Sequence, residues 1–160
     1  NNVSLRGGNR PTKQSLTMTE ELKPKVGVGV LIVKDGKILM SRRKNAHGSG
    51  QLAFPGGHLE NLESFEACAR RETLEECGVE IKNVRFFMLY NMTAYAPKHY
   101  VHVTMIADWA SGEPANLEPD KSEFFKWMDL DEIREPMFDS ARVSLEHYCV
   151  NNWPCFIDSV

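Results

Sequence analysis

The stretch from Ser64 to Cys77 constrains this chain more than any other, because its charge pattern conflicts with an ordinary surface helix. It holds no internal Gly or Pro, Ser64 can cap its start, and Gly78 supplies a left-handed stop. At about 100° per residue with Phe65 at the origin, Cys68 and Ala69 fall at about −60° and +40°, defining an apolar stripe. Glu72 and Glu76 fall at about −20° and +20°, on that same stripe, with Glu75 at about −80°. A solvated acidic face would lie opposite. Ala67 and Leu74 add an apolar strip on the far side, so the pattern predicts a helix clamped between two layers.

Carboxylates one turn apart repel weakly when exposed and strongly when desolvated, so something positive must neutralise them. Arg70 and Arg71 are one source. A single arginine does not readily serve three carboxylates, however, which favours a divalent cation. Hard oxygen donors without soft ligands select Mg²⁺ or Mn²⁺ over Zn²⁺.

Around this helix the sequence predicts strands. Val26 to Val33 is rich in β-branched residues, Lys34-Asp35-Gly36-Lys37 carries the Asp-Gly hairpin signal, and Ile38 to Ser41 is its partner. Further strands are expected at Val84–Tyr90, Tyr100–Asp108 and Phe124–Met128, and a closing helix at Asp139–Val150 with Asp139 as N-cap. Strands around two helices, without regular βαβ alternation, predict an α+β layered fold in one domain over residues 24–160. Residues 1–23 are polar and aperiodic, which is the composition of a flexible tail or an expression remnant.

Charge narrows the function. The formal net charge is −3, which gives no global field for nucleic acid or an anionic membrane. Any phosphate must therefore be held by a local device. The four cysteines form no CxxC pair, arguing against zinc and disulfides. With no apolar run near the roughly 20 residues of a membrane span, a soluble cytoplasmic protein is expected.

The positions of Gly57, Glu63, Arg71, Glu72, Glu75, Glu76 and Gly78 resemble the signature of the Nudix hydrolases. Two residues depart from it: Thr73 stands where a bulky aliphatic residue is usual, and Leu62 where glycine is common. The resemblance implies a Nudix fold, a mixed central β-sheet sandwiched between α-helices (α/β/α). It implies Mg²⁺, with Mn²⁺ as a substitute, held by Glu72, Glu75, Glu76 and the Gly56 carbonyl. Glu72 is also the leading general base, and Arg71 orients the glutamates. Pro55-Gly56-Gly57 lets backbone approach a pyrophosphate, since glycine has no Cβ. Arg43 and Lys44 either meet the phosphate tail or form a solvated loop. His58 either touches substrate or is satisfied by backbone.

From Lys25 to Tyr148 the chain resembles one branch, the vertebrate Nudix-type-fifteen nucleotide triphosphate diphosphatases and similar plant enzymes. The matching features are PGGHLE at Pro55–Glu60, HYV at His99–Val101, LEPDKSE at Leu117–Glu123, Trp127 and Pro136-Met-Phe138. This resemblance implies hydrolysis of purine or modified guanine triphosphates, or of dihydroneopterin triphosphate, and a homodimer. It makes Phe138 a base-stacking aromatic, with ordinary core as the alternative. It makes His102 a pocket residue, with a surface position as the alternative. Glu123 either assists the metal or forms a structural ion pair. Two other functions stay open: a nucleoside diphosphate-X hydrolase acting on ADP-ribose, a dinucleotide cofactor or capped RNA, and a nucleotide-sensing domain without turnover.

Overall fold

The computed structural model describes residues 23–44, 47–151 and 153–158. Apart from Lys23, the expectation for residues 1–23 falls outside the described residues. β1 (Lys25–Lys34) turns through Asp35 and Gly36 into β2 (Lys37–Arg43). Both turn residues have positive φ, +50° and +78°, as the Asp-Gly signal requires. There follow β3 (Leu52–Ala53), β4 (Gly56–His58), α1 (Phe65–Cys77), β5 (Glu80–Met92), β6 (Tyr100–Ser111), β7 (Ser122–Met128), α2 (Asp139–Val150) and β8 (Cys155–Asp158).

The strands form one eight-stranded mixed sheet in the order β3-β2-β1-β6-β5-β8, with β4 added to β1 and β7 to β2. β1 runs parallel to β6 along nearly its whole length, a pairing that buries Val30, Leu31 and Ile32. Its other edge changes partner: Val33 and Lys34 pair with β2, whereas Gly27 to Gly29 pair with β4. β2 meanwhile continues to β3 and β7. The sheet therefore forks, and the fork opens a cleft between β1/β4 and β2/β3.

Side chains alternate across the sheet, so each face builds its own core. Val28, Val30 and Ile32 join Cys68, Ala69 and Cys77 of α1, while Leu31, Met40 and Phe87 join Ala141 and Leu145 of α2. This is the expected α/β/α sandwich. α1 itself, however, is clamped on one side only. Phe65 and Leu74 are 43% and 52% exposed, and the buried stripe is Cys68, Ala69, Thr73 and Cys77. Apolar residues on the far side of the wheel do not imply a second layer, because two or three of them expose too little area to demand one.

Ser64 caps α1 by accepting from the Ala67 N–H at 3.1 Å, and Gly78 closes it at φ +70°. At α2 the expected cap is displaced. Phe138 occupies the N-cap position without a side-chain bond, and Asp139 lies in the first turn, 2.6 Å from Arg142. An acid there is still favourable to the helix dipole. The sequence reading did not anticipate β4 or β8. Both are short and owe their strand geometry to β1 and β5 rather than to their own pattern.

Candidate active site

A cavity of about 660 Å³ occupies the fork. At one end it is walled by Gly56, Gly57, Glu72, Glu76 and Lys121, and elsewhere by Phe54, Met92, His102, Phe138, Ser140 and Ala141. Small side chains bring α1 close to the sheet, so Glu72 and Glu76, one turn apart, reach β4. The Gly56 N–H donates to Glu76 Oε2 at 2.9 Å. A Cβ on Gly57 would stand 2.2 Å from Glu72 Oε1, and one on Gly56 2.1 Å from the Val28 carbonyl oxygen. Backbone excludes a larger residue at Gly56, and at Gly57 a larger residue would push the Glu72 carboxylate out of place.

Arg71 organises the acids. Its Nε and Nη2 donate to both oxygens of Glu63 at 2.8 and 2.9 Å, and its Nη1 donates to Glu72 at 2.7 Å and Glu75 at 3.3 Å. One arginine thus does serve three carboxylates, contrary to the expectation from sequence, because a planar guanidinium offers five N–H groups in a fixed fork. Its hydrogen bonds hold the Glu63 carboxyl down at about 2.

Glu76 is left out of this arrangement and makes no ion pair among the described residues. Burial pushes its carboxyl up to about 8; the Gly56 N–H opposes that, while Glu72 and Glu118 add to it. Lys121 attracts it, but the Lys121 ammonium lies 2.9 Å from the Glu118 carboxylate. A half-buried carboxylate facing two further acids is an oxygen donor set that a hard dication fits. The side chains as they lie do not enclose an ion: among the described residues no group of three acids, histidines or cysteines is drawn together to hold one. Glu75 is 55% exposed and lies outside the cavity wall, so the expected convergence of three glutamates is two glutamates in the cavity and one on its shoulder.

The remaining predicted residues divide. Arg43, His58, His102 and Phe138 all line the cavity. Lys44 does not; its ammonium donates to the Pro119 carbonyl at 3.2 Å. Glu123 does not either, and lies 3.9 Å from Arg42. Glu118, five residues earlier in the LEPDKSE motif, is the loop glutamate that acts on Glu76. Phe138 is stacked on Tyr95 at 4.9 Å and 11°, and the Arg43 guanidinium lies over its ring at 4.4 Å. A base would have to displace that guanidinium to stack there.

Sequence reasoning missed Lys121, Lys98, Tyr100 and His47, which also line the cavity. Lys121 sits inside a motif already singled out. His47 sits in the glycine-rich loop before β3, where spacing gives no sign of direction.

A forked mixed sheet flanked by helices thus sets a glycine turn against an acidic helix. The NUDIX domain model matches residues 23–148, and the chain belongs to the NUDIX family of hydrolases. It is 34% identical to an ADP-ribose pyrophosphatase of Methanocaldococcus jannaschii, over 76% of this chain and 72% of that protein. It is 32% identical to an oxidized purine nucleoside triphosphate hydrolase of Danio rerio, over 65% of each. The match to an NAD-capped RNA hydrolase NudC of Vibrio atlanticus, at 30% identity, spans 74% of this chain but only 43% of that protein. Among solved structures, a MutT NUDIX hydrolase from Burkholderia pseudomallei is 35% identical with a TM-score of 0.73, covering 78% of this chain and 97% of that one. Among the described residues no helix is long and apolar enough to cross a membrane.

Proposed function

We propose that the chain is a magnesium-dependent nucleoside triphosphate pyrophosphohydrolase, converting a nucleoside triphosphate and water to a monophosphate and diphosphate. Purine or modified guanine nucleotides are its substrates, as in the Nudix-type-fifteen branch it resembles. The supporting observation is a single cavity with paired carboxylates and glycine backbone at one end and aromatic and apolar walls elsewhere. Such a cavity suits a polyphosphate joined to a flat ring.

Glu72, Glu76 and the Gly56 carbonyl are the groups that would hold Mg²⁺, with Glu75 a peripheral donor on the shoulder of the site; the ion would supply Lewis-acid stabilisation of charge on the phosphoryl oxygens. Glu72, fixed through Oε1 by Arg71, takes the proton of the attacking water. The water oxygen bonds to the α-phosphorus, the α–β bridging bond breaks, and diphosphate leaves. Gly56 and Gly57 admit the chain of phosphates close to backbone, and Lys121 and Arg43 offset its charge. Residues 24–160 act as one domain, and the reading includes a homodimer in a reducing cytosol, checked by light scattering and cell fractionation.

Incubation with Mg²⁺ and a nucleotide panel in ¹⁸O-labelled water tests this. Label in the monophosphate with release of diphosphate is expected. The relative named ADP-ribose pyrophosphatase favours a second reading, hydrolysis of a nucleoside diphosphate-X compound. Turnover confined to ADP-ribose or dinucleotides would establish that reading, and binding without any product would mark a sensor.

A further inference from the structure

The imidazole of His102 is buried in the cavity wall, and its Nε2 has no hydrogen-bond partner. Its Nδ1–Cε1–Nε2 edge packs beside glycine backbone. His102 is in register with Gly27, and a Cβ would stand 3.3 Å from its Nδ1 if placed on Gly27 and 2.8 Å from its Nε2 if placed on Gly29. Glycine inside a strand weakens it and marks a close approach. Here two glycines interrupt the valine-rich β1 beneath one ring.

The surroundings say what the ring is for. Phe54, Met92, Phe138 and Ala141 give the same cavity apolar walls, while the carboxylates and Lys121 define its phosphate end. Burial, reinforced by the Arg43 charge, depresses the imidazole to about 4 and keeps it neutral. A neutral ring brings no positive charge to a phosphate; it offers one donor and one acceptor, which suit a neutral polar atom. We propose that His102 is a specificity-determining residue that hydrogen-bonds a carbonyl or amino group on the edge of the nucleotide's heterocycle. This rests on the reading that the cavity takes a nucleotide, and adds which part of it is read. Sites built to bond a substrate group reject analogues lacking it, because their buried polar atom is then left unpaired.

The test uses the metal-free protein and product monophosphates, so it is independent of turnover. Affinity for GMP or IMP is compared with that for the monophosphate of unsubstituted purine riboside, in the wild type and in His102→Leu. The wild type is expected to prefer the substituted purines by roughly 10- to 100-fold, and His102→Leu to reduce the preference below about threefold. An unchanged preference in the variant, or none in the wild type, overturns the proposal. Should the variant fail to fold, ¹⁵N resonances of the wild-type imidazole decide. A shift with GMP or IMP and not with the bare purine supports the contact; equal shifts, or none, overturn it. Hydrolysis could be confirmed while this fails, and the reverse also holds, so the two readings are tested separately.

Discussion

At the scale of single residues, the site separates acids that the helix wheel had grouped. Glu76 is half-buried and without an ion pair among the described residues, whereas Glu75 is exposed and bound to Arg71. If transition-state charge is stabilised through the half-buried acid, Glu76→Gln should lower kcat at least ~100-fold in Mg²⁺. Glu75→Gln should stay within about tenfold of wild type, since its loss leaves the cavity wall intact. Steady-state kinetics on the best nucleotide of the panel checks both. Equal losses would show that Glu75 swings inward when the site is loaded, and a small loss at Glu76 would remove it from the machinery.

At the scale of elements, the two departures from the signature now have structural addresses. Leu62 has φ +63° and is 97% exposed, so its side chain buries nothing while its backbone sits in the left-handed region. That conformation costs a non-glycine residue ~1–2 kcal/mol, and glycine gives back roughly 0.5–1 kcal/mol in unfolded-state entropy. Leu62→Gly should therefore gain about 0.5 kcal/mol in urea unfolding. Thr73 is fully buried, and its hydroxyl donates to the Ala69 carbonyl at 2.7 Å within the helix. Because that carbonyl already serves the helix, Thr73→Val strands no donor and adds apolar contact, for an expected gain of ~0.5–1 kcal/mol by the same measurement. Elements of this kind were legible beforehand: β-branched runs, the Asp-Gly turn, Ser64 and Gly78 are local signals, and α1, β1 and β2 lie close to where those signals put them. β4 and β8 were not legible, since neighbouring strands create them. The carboxylates and glycines of the site could be read from spacing. The direction of Glu75, the reach of Arg71 and the place of Lys121 could not, because they depend on contacts between distant segments.

At the scale of the whole molecule, the buried titratable groups link stability to pH and metal. His102 is depressed from 6.5 to about 4, so between those values the native state binds fewer protons than the unfolded chain. Its contribution makes stability rise with pH over that window. Glu76 is raised from 4.5 to about 8, so the native state keeps a proton that the unfolded chain has released. Its contribution makes stability fall with pH from 4.5 to about 8. The two oppose each other up to about 6.5, and above that Glu76 acts without His102. Burial lowers His47 and His58 as well, and both add to the rise below 6.5, so chelator-treated protein should gain stability up to about pH 6.5 and lose it towards pH 8. Glu76→Gln should abolish the loss at high pH and retain the rise at low pH. Magnesium competes with the Glu76 proton, so the stabilisation it adds should grow as pH rises from 6.5 to 8. Thermal unfolding at several pH values, with chelator and with Mg²⁺, measures all three. A magnesium effect of constant size across that range, or one that survives in Glu76→Gln, would mean that the ion is not held at the Glu76 carboxylate.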